Sequence, residues 1–102
     1  MKKISILPIT GPFAENKDLS RELRVGKIIP YLKENKKIDI DFNGVENTTQ
    51  SFIHALLSEA IRYKGENFAD YVSFSNCNDK IMTIIEIVYQ YTMDNLDEFQ
   101  SD

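Results

Sequence analysis

Alternating hydrophobic and polar residues predict three short strands. The clearest covers residues 38–42, where isoleucine and phenylalanine alternate with aspartate. A weaker alternation predicts a first strand at about residues 4–8, which ends before the turn at Gly11 and Pro12. A third strand is predicted at residues 71–75, where Val72 and Phe74 alternate with serine and tyrosine.

Three other segments have apolar residues at helical spacing. They cover about residues 19–34, 50–64 and 79–93. Pro30 lies inside the first segment and should kink that helix or divide it in two. Strands and helices therefore alternate along the chain. This order predicts an α/β fold in which about three helices cover a mostly parallel sheet of three to four strands.

Residues that begin or end helices support these boundaries. Asp18 is the predicted N-cap of the first helix, and Asn78 is the predicted N-cap of the third. Either Thr48 or Thr49 can cap the second helix, and Gly65 fits its C-terminal end.

The length of 102 residues supports one domain, which we assign to residues 1–94, followed by an acidic, frayed tail at residues 95–102. The net charge is −4 but is unevenly spread. Residues 1–37 carry nine cations and four anions, whereas residues 38–102 carry three cations and twelve anions. This asymmetry reflects either solvated faces or a docking surface for a charged partner protein.

The sequence argues against nucleic-acid and membrane partners. Arg21, Arg24 and Lys27 can share a helix face, but an acidic chain is a poor general binder of phosphate backbones. No stretch approaches the ~18 apolar residues of a membrane span, and the apolar run before Pro8 is too short for a signal peptide. With a single cysteine, Cys77, no intramolecular disulfide can form. We therefore expect a cytoplasmic protein.

Few residues offer catalytic chemistry or cofactor binding. His54 is the only histidine and could act as a general base beside Ser51 and Ser58 on the same helix face, although such neighbours often arise by chance. Cys77 precedes the third helix and is either a reactive thiol or a small buried hydrophobe. The glycines are dispersed, so no phosphate-binding loop is present. We expect a protein that is not an enzyme and has no cofactor.

Asp39 and Asp41 are two residues apart on the clearest strand, so their side chains point to the same side. Paired carboxylates can bind a metal ion or share a proton. The carboxyl end of a parallel strand is also where α/β proteins place functional groups. The favoured alternative is a structural role for Asp41, in which its carboxylate caps the next turn.

The connection at residues 44–52 joins the clearest strand to the second helix. Backbone N–H groups at a helix N-terminus favour an anion, such as a phosphate or an added phosphoryl group. The hydroxyls in this connection could instead only cap the helix. Our predicted contacts with a partner or ligand are Val45, Glu46, Thr48, Thr49, Gln50 and Ser51.

Short motifs in a fixed order resemble the STAS-like domain family of unknown function. That family typically reads Asp-Phe-Ser-Gly-Val-Glu and then Gln-small-Phe, and this chain has Asp-Phe-Asn-Gly-Val-Glu at residues 41–46 and Gln-Ser-Phe at residues 50–52. A Ser-Arg pair at residues 20–21 and an Asn-Cys-Asn run at residues 76–78 also match its motifs. The resemblance covers about residues 18–90.

The resemblance implies a non-enzymatic, regulatory protein-interaction module. Members of that family often accompany histidine-kinase-like ATPases, which implies that such a partner docks on the second helix and the loop before it. The family often has acidic residues at the positions of His54 and Ala55, so a function that needs acids there is not carried over. The alternative function is a sensor that holds a small anion or nucleotide at the N-terminus of the second helix.

The chain is more distantly similar to the STAS domains of anti-sigma factor antagonists. In those domains, the corresponding helix begins with Asp-Ser-Ser-Gly, and a partner kinase phosphorylates the first serine. When the two patterns are aligned on Gly44 and Val45, that serine falls on Gln50, which cannot accept a phosphoryl group. Thr49 and Ser51 remain the neighbouring candidate phosphoacceptors.

Overall fold

The structure, a computed structural model, describes residues 1–96. Its strands are β1 (Lys2–Ser5), β2 (Phe13–Ala14), β3 (Ile38–Asp41), β4 (Asn47–Thr48) and β5 (Val72–Ser75). Its α-helices are α1 (Leu7–Thr10), α2 (Lys17–Leu23), α3 (Ile29–Lys33), α4 (Gln50–Lys64), α5 (Phe68–Tyr71) and α6 (Asp79–Asp94). From residue 97 onward, the predicted tail lies outside the described residues.

Strands β1, β3 and β5 form a parallel sheet with β3 in the centre. The register places Ile40 opposite Ile4 on one side and opposite Phe74 on the other. The predicted α/β fold with a mostly parallel sheet is therefore confirmed. Strands β2 and β4 form a separate parallel ladder. Each has only two residues, which is too short to produce an alternating pattern.

One face of the main sheet carries the core. Ile38, Ile40 and Phe42 are fully buried and belong to the same hydrophobic cluster as Phe52 and Leu56 of α4. Helix α4 packs against both α2 and α6, so it is the middle helix of the layer. The short helices α1 and α5 add to the three predicted helices, the first of which is divided into α2 and α3. The polar side chains of the strands lie on the opposite face of the sheet.

The start of the chain differs from the prediction in two places. Strand β1 ends at Ser5, and Pro8 lies in the first turn of the short helix α1, where the missing N–H of proline costs no hydrogen bond. The N-cap of α2 is Asn16 rather than Asp18. The side chain of Asn16 accepts hydrogen bonds from the N–H groups of Asp18 and Leu19 at 2.9 and 3.2 Å.

Pro30 lies where the predicted first helix is interrupted. Helix α2 ends at Leu23, and a π-helical segment, Arg24–Ile28, leads into α3. Pro30 has no N–H to donate to the carbonyl of Gly26, and the wider π turn accommodates this missing hydrogen bond. The π segment also changes which residues share a face beyond Arg24.

The two candidate capping threonines have different roles. The hydroxyl oxygen of Thr49 accepts a hydrogen bond from the N–H of Phe52 at 3.0 Å, so Thr49 is the N-cap of α4. Thr48 is buried, and its hydroxyl donates to the carbonyl of Ala14 at 2.6 Å. Thr48 therefore joins β4 to β2 instead of capping the helix.

Replacing the cap should destabilise the domain. Thr49→Ala leaves the N–H of Phe52 without its partner, and we expect the free energy of unfolding to fall by about 1 kcal/mol. Ser51→Ala is the matched control, because Ser51 is exposed in the same helical turn and should change stability by less than about 0.5 kcal/mol. Urea denaturation followed by circular dichroism measures both. Equal losses in the two variants would contradict the capping role.

Candidate functional site: a basic groove along α4

A groove of about 640 Å³ follows the side of α4 that faces away from the sheet. Lys17, Arg21 and Arg24 form one wall, and Val88 and Tyr91 of α6 form the other. The floor consists of residues from the outer side of α4: Gln50, Ser51, His54, Ala55, Ser58 and Arg62.

Hydrogen bonds to the backbone of α4 hold the first wall in place. The buried hydroxyl of Ser20 donates to the carbonyl of Phe52 at 2.7 Å. One turn later, Nη1 of Arg24 donates to the carbonyl of Ala55 at 3.2 Å, and its Nε lies 3.4 Å from a carboxylate oxygen of Glu59. These contacts fix α2 against α4 and leave Arg21, between Ser20 and Arg24, at the groove.

The lining of the groove is positively charged, whereas the chain as a whole carries a net negative charge. Four of its lining residues are lysine or arginine, and none of the described lining residues is acidic. Lys17 and Arg21 are exposed and have no ion-pair partner within residues 1–96. A concentrated patch of one sign in a chain of net charge −4 attracts anions and steers their approach.

Two of the six predicted contact residues line this groove. Gln50 and Ser51 are exposed at the N-terminus of α4 and lie between the two walls. Thr49 borders them but uses its hydroxyl oxygen as the cap of the helix. The first residues of the predicted second helix therefore line the groove, together with residues along the whole outer face of that helix.

The other predicted contacts support the loop instead. Val45 is only 5% exposed and belongs to the hydrophobic core, and Thr48 is buried, so both offer little surface to a partner. Glu46 has an exposed side chain, while its backbone N–H donates to the carbonyl of Pro12 at 2.8 Å. The carbonyl of Glu46 accepts a hydrogen bond from the side chain of Asn78 at 2.9 Å. Glu46 lies outside the lining of the groove.

Several residues of the groove lie outside the predicted contacts. Lys17 lies before the predicted start of the first helix, and Tyr91 lies within the segment at residues 79–93 that has apolar residues at helical spacing. The basic face was expected to include Lys27, but Lys27 lies in the π segment and does not line the groove. The spacing of Lys17, Arg21 and Arg24 is the one sequence signal that could have revealed this wall.

His54 lies in the groove without the partners of a catalytic triad. Its side chain is exposed and makes no hydrogen bond to Ser51 or Ser58 in the described part of the chain. Ser58 is itself 4% exposed, so its hydroxyl is covered. His54 is consequently a solvent-exposed group on the floor of a basic groove.

Asp39 binds protein groups on the polar face of the sheet. Its carboxylate accepts hydrogen bonds from the hydroxyls of Ser73 and Ser75 on the neighbouring strand, at 2.8 and 2.6 Å. Within residues 1–96, no group of three histidine, cysteine or acidic side chains could hold a metal ion. The side chain of Asp39 thus cross-links β3 to β5.

Asp41 shapes the turn at the end of β3. Its carboxylate accepts hydrogen bonds from the side chain of Asn76 at 2.8 Å and from the N–H of Asn43 at 2.9 Å. The ammonium group of Lys3 lies 3.6 Å away. These contacts, first among them the hydrogen bond from Asn76, hold the pKa of Asp41 below its ordinary value.

The sequence model for the STAS-like domain of unknown function (DUF4325) matches residues 21–82. The chain belongs to this STAS-like family. No curated protein and no solved structure matches the chain. The matched residues include Arg21, Arg24 and all of α4, whereas Lys17 and Tyr91 lie outside them.

The motifs of this STAS-like domain have structural roles at the strand ends. Gly44 has a φ of +84°, and a Cβ added there would lie 2.6 Å from the side chain of Leu7. Asn76 also has a positive φ of 56° and contacts Asp41, while Asn78 accepts a hydrogen bond from the N–H of Ile81 and caps α6. The motifs therefore hold the loops that precede α4 and α6.

The thiol between those two asparagines is not activated in this STAS-like domain. Burial raises the pKa of Cys77 to about 11, and the negative charges of Asp39 and Asp41 add to the effect. The thiol lies 3.8 Å from the carbonyl of Ser75. Cys77 therefore remains protonated at neutral pH.

No helix within residues 1–96 is long and apolar enough to cross a membrane.

Alkylation of Cys77 tests this environment. At pH 8, iodoacetamide should modify the folded protein at least about tenfold more slowly than the urea-unfolded chain, because only the thiolate is nucleophilic. Asp41→Asn removes one negative charge and should increase the rate in the folded protein. Asp70→Asn is the matched control at the opposite end of β5 and should leave the rate unchanged. Equal rates for folded and unfolded wild type would contradict the raised pKa.

Proposed function

We propose that this STAS-like domain is a non-enzymatic, regulatory interaction module that docks an acidic segment of a partner protein in the groove along α4. The observation that carries the proposal is the row of cations on the groove wall, with no acidic residue in the described lining. Opposite charges across an interface accelerate association and exclude wrong partners.

The exposure of the groove residues supports docking. Lys17 and Arg21 are exposed on one wall of the groove, Gln50 is exposed on its floor, and Tyr91 is 56% exposed on the other wall. Arginine and tyrosine are enriched among the residues that contribute most to binding at protein interfaces. A stable complex has to bury roughly 1,000 Å² or more, so a partner would also cover residues beyond the groove.

A protein partner fits the charge of the whole chain better than a nucleic acid does. The acidic remainder of the surface repels a long phosphate backbone, whereas a short acidic segment contacts only the basic groove. A histidine-kinase-like ATPase is the first partner to test, because the family resemblance implies one. We propose a cytoplasmic location together with this role, consistent with a single, unpaired cysteine.

Charge reversal in the groove should abolish docking. We expect Arg21→Glu to reduce recovery of a specific partner from the native host by at least tenfold, measured by affinity purification and quantitative mass spectrometry. Lys80→Glu is the matched control, because Lys80 is an exposed cation in the first turn of α6, outside the groove. Circular dichroism verifies that both variants are folded.

Three results would change this proposal. A partner retained equally by both variants would locate docking elsewhere on the domain. Recovery of nucleic acid that depends on Arg21 would replace the protein partner with an RNA or DNA ligand. Phosphate on Thr49 or Ser51 in the recovered protein would add a switch, since a phosphoryl group at the start of α4 would interact with the helix dipole and the nearby cations.

A second candidate function is a sensor of a small anion or nucleotide. It is favoured by the position of Gln50 and Ser51, which bring the N-terminus of α4 into the groove beside Lys17 and Arg21. A ligand that binds only the folded state raises stability by about 2.7 kcal/mol at a concentration 100 times its Kd.

A thermal-shift measurement distinguishes the two candidates. If the groove only docks protein, pyrophosphate and nucleoside triphosphates should not raise Tm beyond the effect of sodium chloride at the same ionic strength. A larger increase that Arg21→Glu removes and Lys80→Glu retains would favour the sensor. An increase that persists in Arg21→Glu would indicate anion binding at another place.

A further inference from the structure

We infer that the acidic segment recognised by this domain is an amphipathic helix, with acidic residues on one face and apolar residues on the other. This inference rests on the proposed docking in the groove and specifies the class of partner. It depends on three features of the groove: its floor, the unequal chemistry of its two walls, and the secondary structure of its lining.

Three small side chains form a stripe along the floor of the groove. Ser51, Ala55 and Ser58 lie at positions i, i+4 and i+7 of α4 and therefore form one stripe along the helix. Helices pack with their axes about 8–10 Å apart, depending on the side chains at the contact. Along this stripe, serine and alanine permit a closer approach than the longer side chains of Gln50, His54 and Arg62 on the same floor do.

The two walls differ in chemistry. Lys17 and Arg21 on the α2 wall present positive charge, while the α6 wall exposes apolar surface. On that wall Tyr91 is 56% exposed. Ile87 lies outside the lining of the groove, but it is 46% exposed one turn from Tyr91 on the same side of α6 and extends this apolar surface. A helix lying between these walls matches both only if its acidic and apolar residues lie on separate faces.

The lining also favours a helix over an extended chain. Within residues 1–96, every lining residue of the groove comes from α2, the π segment that follows it, α4 or α6, and no strand edge is among them. An extended peptide gains its affinity largely by pairing its backbone with such an edge. A helix satisfies its own backbone hydrogen bonds and needs only side-chain contacts.

Two synthetic peptides of identical composition provide the test. Both contain the same glutamates and leucines, but only one places leucine at helical positions i, i+3, i+4 and i+7, with glutamate opposite. Binding is measured by calorimetry, and the NMR signal of the His54 imidazole reports on the groove, because His54 is the only histidine. We expect the amphipathic peptide to bind at least tenfold more tightly than the scrambled one and to shift this signal.

Variants on the two sides of α6 locate the apolar contact. Ile87→Gln should reduce the preference for the amphipathic peptide by at least threefold. Met82→Gln is the matched control, because Met82 is 37% exposed on the side of α6 that faces away from the groove. Arg21→Glu should weaken both peptides.

The outcomes distinguish this inference from the proposed function. Equal binding of the two peptides, with a shifted His54 signal, would overturn the amphipathic helix and leave acidic docking intact. A preference lost in Met82→Gln but kept in Ile87→Gln would also overturn the inference, because the apolar contact would then lie on the side of α6 that faces away from the groove. No shift of the His54 signal by either peptide at millimolar concentration would overturn both proposals.

Discussion

The groove depends on the hydrogen bonds that Ser20 and Arg24 donate to carbonyl oxygens of α4. Each carbonyl also lies within a helix, so these donors use its second lone pair and leave the helix intact. A buried hydroxyl without a partner costs about 1–3 kcal/mol, and therefore Ser20 strongly favours the position in which it reaches Phe52. Arg21 lies between these two anchors in the sequence, so its position relative to the floor of the groove follows from theirs.

The π segment and Pro30 contribute to the same arrangement. Because the π segment begins at Arg24, the regular α-helical spacing that aligns Lys17, Arg21 and Arg24 ends there. Lys27, three residues later, consequently leaves the basic face. π-helical turns inside longer helices frequently occur at functional sites, and here the turn marks the end of the basic wall. The cations of the first helix are thus divided between a groove and a solvated surface.

Periodicity in the sequence predicts an element only when the element is long enough for its apolar residues to recur at regular spacing. Strand β3 and helices α4 and α6 meet that condition, whereas β2, β4 and the short helices α1 and α5 are too short to produce a pattern. The groove is harder to predict, because its lining comes from residues 17–24, 50–62 and 88–91. Amphipathic patterns show which face of each helix is buried, but not which exposed faces border one another.

Polar residues at the end of the sheet show the same limit of sequence reasoning. Asp39 and Asp41 suggest a metal or catalytic pair when only their spacing is known. In the structure, Asp39 binds serine hydroxyls of β5, and Asp41 binds Asn43 and Asn76. Their negative charge also helps to keep the thiol of Cys77 protonated. The carboxylates thus stabilise the strand ends, while Lys17 and Arg21, which have no such partners within residues 1–96, line the groove. A charged side chain with no partner in the fold retains its full attraction for an external group, and this distinguishes Lys17 and Arg21 from the polar residues of the sheet.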